Sequence, residues 1–216
     1  MFSAIILAGG KGERLNLGYN KVLYKIKGKT ILEYATEKFI VDKYISEIII
    51  VIDKENYNKI NKIFPNKKIK IITGGENRQS SVSNGLKEVT NDFVIIHDGA
   101  RPNVSFEEIK TIKENVKNGP CILYTNIKEA TVEIEDKKVR NYINRDKLAL
   151  IKTPQGFNTN DLIKAYKLAS KNNNVYLDDA SLLFYELNKE ITILKGKDRN
   201  IKITSKFDLE IMEDLL

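Results

Sequence analysis

Cysteine is nearly absent: the chain of 216 residues holds one, Cys121. A single thiol forms no disulfide within the chain, and a reducing cytoplasm is the simplest compartment for it. Long hydrophobic runs are missing as well. No apolar stretch approaches the roughly 18 residues that a membrane span needs. The opening "MFSAIILAGG" has neither the basic start nor the small-residue cleavage site of a secretory signal. Neither membrane nor export is therefore expected. Histidine occurs once, as His97, and there is no repeat, low-complexity tract or linker, so one domain is expected over 1–216.

Charge is plentiful but not blocked. Lysine and arginine number 36 against 29 acidic residues, a net charge of +7. The excess is scattered as single lysines among Asn and Ile, without a run of like charge or a basic–aromatic stripe. No nucleic acid is expected as a partner. Phosphorylated small molecules fit better, because they need only a few well-placed cations. With 42% apolar and 30% charged residues, the composition suits a globular domain with a sizeable core.

Hydrophobic periodicity alternates between strand and helix. "SAIILA" (3–8) reads as a buried strand ended by glycines. Thr30 N-caps a helix over 30–40, and strands follow at 46–52 and 68–73 around a helix begun by Asp53. Next come a helix at 81–89, a strand at 92–98, a helix at 105–117 and a strand at 120–125. This order predicts an α/β fold: a Rossmann-like, doubly wound, mostly parallel sheet. Residues 126–150 break the rhythm; "TVEIEDKKVRNYI" alternates around a turn at Asp136-Lys137-Lys138, which predicts a protruding β-arm. Helices at 159–170 and 178–187, a strand at 190–195, the segment "NIKIT" and a helix at 206–215 close the chain.

Ligands on such sheets sit beyond the carboxyl ends of the strands. Three polar clusters follow strands there: "AGGKGERLNLGYNK" (8–21), "GGENR" (74–78) and "HDGARP" (97–102). In the first, Gly9, Gly10 and Gly12 let backbone approach a ligand, and their N–H groups could cradle an anion. A P-loop is excluded because Glu13-Arg14 follows Gly12, and a dinucleotide fingerprint because Leu15 stands where its last glycine would be. On the glycines alone, a tight turn after a strand explains the loop equally well. His97 invites a role as general base, and a structural role beside Asp98 suits it better. Asp98 at a strand end suits a turn or cap as readily as a metal, and Arg101 suits a partner for nearby carboxylates.

The motifs "LAGGKGERL…NK", "GGENRQSSVSNGL" (74–86), "HDGARP", "NRDKLALIKTPQGF" (144–157), "DDASLL" (178–183) and "GKDRNIKIT" (196–204) occur in order. Together they resemble the cytidylyltransferases of 2-C-methyl-D-erythritol 4-phosphate and their relatives acting on ribitol 5-phosphate, over nearly the whole chain. The resemblance implies the nucleotide-diphospho-sugar transferase type of fold and transfer of CMP from CTP to a polyol phosphate, with pyrophosphate released. It implies that Arg14, Lys21 and Lys202 surround the triphosphate, beside the loop of Ala8, Gly9, Gly10 and Gly12. By the same resemblance Gly75 and Glu76 read cytosine through backbone groups, while Arg78 and Ser81 hold the loop, base or ribose. Asp98 would hold Mg²⁺. Arg145 and Thr153 match residues near the acceptor's phosphate, and Thr131 lies on an arm that in the family crosses to a twin subunit, implying a homodimer. "HDGARP" and "DDASLL" look more like the methylerythritol branch.

Three positions depart from that pattern. Asn20 stands where many relatives have proline, and is expected to loosen the loop before Lys21. The arm reads Glu129-Ala130-Thr131-Val132-Glu133 against D-T-x-K, and Val22 replaces a common glutamine.

Overall fold

The computed structural model describes residues 1–10, 15 and 17–216. Gly12 and Arg14 lie outside the described residues. The chain opens with β1 (Phe2–Leu7), a small hairpin β2 (Lys25–Ile26) and β3 (Lys29–Thr30), then α1 (Ile31–Val41) and β4 (Ile45–Ile52). There follow α2 (Tyr57–Ile63), β5 (Ile69–Thr73), α3 (Arg78–Leu86), β6 (Phe93–Asp98), α4 (Phe106–Asn115) and β7 (Cys121–Asn126). The arm is β8 (Thr131–Glu135) and β9 (Lys138–Ile143). Then come β10 (Ala149–Asn158), α5 (Thr159–Lys171), α6 (Asp179–Leu187), β11 (Thr192–Lys195) and α7 (Lys206–Leu215).

Seven strands form one sheet in the order β11-β7-β10-β6-β1-β4-β5. Every pairing in it is parallel except those of β10, which runs antiparallel to both β6 and β7. The sheet is thus the mostly parallel α/β type that the periodicity predicts. The strand order reverses direction between β1 and β6. Their register places Leu7 opposite Asp98, so both strands end at one rim of the sheet. That is the switch point where such sheets leave a crevice.

The residues of β1 alternate between two cores. Ala4 and Ile6 pack with Leu32, Phe39, Ile109 and Ile112 on one face. Ile5 packs with Val82, Leu86, Phe157 and Leu162 on the other. Period-two alternation in a strand covered on both sides produces this division. A third cluster joins Leu15 and Ile26 to Ile203, Leu209 and Met212, so α7 is seated against both ends of the chain's polar loops. Thr30 begins α1 with a reciprocal capping box to Glu33, as its sequence position predicts.

One stretch carries no strand expectation from the sequence. The motif containing "TPQGF" is a strand, β10, although a proline within a sheet argues against one. Pro154 is tolerated because the ladder to β7 shifts register between Lys152 and Gln155, around the proline. The excursion between the end of β7 at Asn126 and the start of β10 at Ala149 carries the arm, whose paired residues run from Thr131 to Ile143. Asp136 and Lys137, both at positive φ (50° and 62°), make its two-residue turn. The arm pairs with no strand of the main sheet, and Ile134, Val139 and Tyr142 on it are exposed.

Gly156 sits where β10 presses on α4. An added Cβ would lie 2.6 Å from Ile112 Cγ2 and 3.0 Å from Val116 Cβ. Gly156→Ala is therefore expected to destabilise the fold by about 1–3 kcal/mol through overpacking. Urea unfolding would register this as a lower midpoint with an unchanged slope.

Candidate active site

A cleft of about 840 Å³ opens beyond the carboxyl ends of β1, β4, β5 and β6. Ala8, Gly9 and Gly10 line it from the loop after β1, and Lys21 enters from the short 3-10 turn Lys21–Leu23. Gly75, Glu76, Arg78 and Ser81 line it from the entry to α3. Asp98 at the end of β6, and Lys202 from the irregular segment before α7, complete the wall. Ten residues singled out from the sequence thus share one cavity.

The basic side chains converge from distant parts of the chain. Lys21 Nζ donates to the carbonyl of Ile203 at 2.7 Å, across 182 residues. The neighbouring Lys202 Nζ lies 3.1 Å from Asp98 Oδ2. Arg101 Nε meets the same carboxylate oxygen at 3.2 Å, and its Nη1 donates to Asn200 O at 3.0 Å. Burial by itself would raise the Asp98 carboxyl. Lys202, Arg101 and Arg78 outweigh burial and hold it well below the usual carboxylate range. Arg78 in turn donates to Asp179 Oδ2 at 2.6 Å. Burial disfavours its charge, yet Asp179 and Asp98 more than compensate and fix it as a cation.

His97 does not face this chemistry. It is fully buried, with Nε2 3.1 Å from the carbonyl of Arg101 and Nδ1 3.0 Å from Thr153 Oγ1. A carbonyl only accepts, so Nε2 carries the proton and Nδ1 accepts from the threonine hydroxyl. That oxygen also receives the backbone N–H of Asp98 at 3.0 Å. Thr153 therefore sits behind Asp98 and fixes the strand end; its hydroxyl is committed to β6. Burial pushes the His97 ring down to about 4.

The loop before α3 is held by its own side chains. Ser81 Oγ accepts from Gly75 N at 3.1 Å, and Asn77 and Ser80 form a reciprocal capping box. A Cβ on Gly75 would run into the Ser80 side chain, so this close turn requires glycine. Of the roles open to Ser81 and Arg78, the described bonds are those of loop support.

Thr131 and Arg145 do not line the cleft. Thr131 Oγ1 donates to Glu129 O at 3.3 Å, and Arg145 Nη1 donates to Lys128 O. Arg145 faces a separate hollow of about 610 Å³ beside Lys128, Lys147 and Lys195. Within one chain, then, Thr131 and Arg145 stand apart from the residues expected around the triphosphate, whereas Thr153, also expected near the acceptor, lies directly behind Asp98.

Several residues at the site carried no sequence signal beyond local structure. Asp53 reads as a helix cap, and it does cap, accepting from Asn56 N at 2.9 Å, but it also lines the cleft. Asn200 is wholly buried and donates to Glu108 Oε1 and Thr153 O, anchoring the segment that presents Lys202. Val22 is buried in the core against the sheet, which accounts for an apolar residue after Lys21. Asn20 does not loosen the loop. Its side chain makes three hydrogen bonds that tie the loop down.

A doubly wound sheet with a cation-walled cleft at its switch point defines an α/β domain with a site suited to a polyanionic ligand. The comparisons give the family. The model of the family described as "IspD: 2-C-methyl-D-erythritol 4-phosphate cytidylyltransferase" matches residues 2–216, and the chain belongs to that family. A relative of that name from Clostridioides difficile (strain 630) is 38% identical, over 100% of this chain and 94% of its own. The enzyme so named from Francisella tularensis superposes with a TM-score of 0.87 at 32% identity, over 100% of this chain and 99% of its own. The 4-diphosphocytidyl-2C-methyl-D-erythritol synthase of Anaerococcus prevotii DSM 20548 superposes with a TM-score of 0.88 at 28% identity, over 100% and 97%.

The depressed His97 ring gives the fold a pH dependence of fixed sign. An unfolded histidine titrates near 6.5 and the folded one near 4, so the unfolded state binds more protons between them. Stability is fully present above about 6.5 and is lost as pH falls toward 4, by about 3 kcal/mol in total. Urea midpoints measured from pH 7 to 4 are expected to fall, with a shallower slope in His97→Asn.

Proposed function

We propose that this chain transfers CMP from CTP to 2-C-methyl-D-erythritol 4-phosphate and releases pyrophosphate, a step in making isoprenoid precursors. The observation that carries the reading is the meeting of Lys21, Lys202 and Asp98 around one cleft at the sheet's switch point. Family membership over the whole chain supports the same activity.

In this reading an oxygen of the acceptor's phosphate attacks the α-phosphorus of CTP. A new P–O bond forms as the bond to the pyrophosphate leaving group breaks. Both reactants are anions, so the obstacles are repulsion and positioning. Lys21 and Lys202, with Arg14, counter the charge of the triphosphate. The attacking phosphate is already ionised, so no general base is needed, in keeping with a His97 whose two nitrogens are both bonded away from the cleft. Gly75 and Glu76 offer backbone groups to the cytosine edge, on a loop that Ser81 and Arg78 hold still.

Mg²⁺ fits the donor set. Asp98 is a carboxylate kept ionised on the cleft wall, and the described residues contain no cluster of three metal-ligating side chains. Magnesium commonly takes one or two carboxylates and completes its shell with substrate phosphates and water. Asp98 would hold the ion, which would neutralise phosphate charge.

The exposed arm supports a homodimer in which Thr131 and Arg145 complete the partner's acceptor site, since neither lines the cleft of its own chain. No described helix is long and apolar enough to cross a membrane. A cytoplasmic enzyme acting on small molecules and not nucleic acid suits that, with Cys121 buried and unpaired.

A pyrophosphate-release assay with CTP tests the reading. 2-C-methyl-D-erythritol 4-phosphate is expected to be turned over and ribitol 5-phosphate to be poor. Lys21→Ala and Lys202→Ala are each expected to lose about 10²-fold or more in kcat with the fold intact. Near-normal turnover in both would remove the mechanism. Refolding an equal mixture of Lys21→Ala and Arg145→Ala chains is expected to restore about a quarter of wild-type sites, because half the dimers carry one intact composite site. No recovery would overturn the shared site.

A further inference from the structure

Asn20 is buried, and its carboxamide is committed on every side. Nδ2 donates to Ala8 O at 2.7 Å and to Asp53 Oδ2 at 2.8 Å. Oδ1 accepts from Val22 N at 3.2 Å, which makes Asn20 the N-cap of the turn Lys21–Leu23. One side chain therefore joins the end of β1, the residue after β4 and the turn that carries Lys21. Asp53 is itself held, since its Oδ1 accepts from both N and Nδ2 of Asn56, at 2.9 and 2.7 Å.

Lys21 is thus restrained at both ends. Its backbone is set by Asn20, and its ammonium reaches Ile203 O. Val22, buried beneath, prevents the turn from rolling. The tether has an electrostatic side too. Asp53 lines the cleft, where a bare carboxylate would repel a triphosphate. Three N–H donors, one of them from Asn20, occupy its two oxygens.

We propose that Asn20, anchored on Asp53, is a positioning residue that sets Lys21 against the triphosphate. The inference rests on the reading of Lys21 as a cation of the reacting phosphates. The backbone shows how it acts. Asn20 sits at φ −62°, within the range that a proline ring would impose, so the side-chain tether holds a conformation that a ring could hold covalently.

Three variants separate positioning from simple structural support: Asn20→Ala, Asn20→Asp and Asn20→Pro. Asn20→Ala removes the tether. Asn20→Asp keeps the shape and the cap on Val22 but turns an oxygen toward Asp53. Both are expected to lower kcat for pyrophosphate release about 10- to 100-fold while KM for CTP moves less than about threefold. Asn20→Pro is expected to recover most of the kcat lost in Asn20→Ala. Unchanged kcat in Asn20→Ala or Asn20→Asp, a loss confined to KM, or no recovery in Asn20→Pro would each overturn the proposal. Hydrogen exchange supplies a readout independent of turnover. The amides of Leu23 and Tyr24 bond to Asn20 O and Lys21 O, and should exchange faster in Asn20→Ala than in wild type or Asn20→Pro. Should wild type release no pyrophosphate, the functional reading fails, and the exchange result still decides the tether: equal protection in all forms overturns it.

Discussion

A carboxylate at the end of β6 remains an anion inside the protein because cations from other elements reach it. Arg101 lies one turn beyond Asp98, while Lys202 arrives from the segment before α7. Loss of either pair would leave the buried charge to the remaining cations, Arg78 among them, whereas loss of all would leave it uncompensated. The surrounding architecture serves this meeting. Asn200 presents its carbonyl to Arg101 and Lys152, and its amide to Glu108 and Thr153, so the segment bearing Lys202 is pinned from the turn after β6, from α4 and from β10. Thr153 and His97 close the network from behind, and the neutral imidazole adds no charge to the balance.

Much of this arrangement is legible in the sequence because it follows from period and position. The apolar run of β1, the Thr30 cap and the strand-then-polar-cluster pattern all arise from local chemistry, so the sheet's rim and its occupants can be named from residues alone. Resemblance adds roles to Lys21, Lys202 and Asp98 that spacing by itself does not assign. What stays hidden is what depends on contacts distant in sequence. Asp53 looks like a cap because capping is local, whereas its bond to Asn20 crosses 33 residues. β10 hides because Pro154 and Gly156 weaken the strand signal, and only the register shift against β7 and the packing of α4 explain their tolerance.

Asn20 shows how a substitution can be misread by type. Replacing a ring that fixes φ by a flexible side chain suggests a looser loop, if only the residue's own torsions count. Once the carboxamide finds a carbonyl, a carboxylate and an amide at hydrogen-bond distance, restraint returns by a different route. The same reasoning applies to Val22, whose apolar side chain is absorbed by the core.

The contact between Lys21 and the carbonyl of Ile203 has a temporal consequence. Its partners are separated by 182 residues. At about 5–20 residues per second, the ribosome needs roughly ten to forty seconds between making one and the other. For that interval the first loop is exposed with its lysine but without the counterpart that completes the cleft. A nascent chain can build β1, β4 and β5 early, yet it gains a nucleotide site only when the last segment before α7 has been added. Competence therefore arrives at the end of synthesis, and a product truncated before that segment would be folded in part and empty of function.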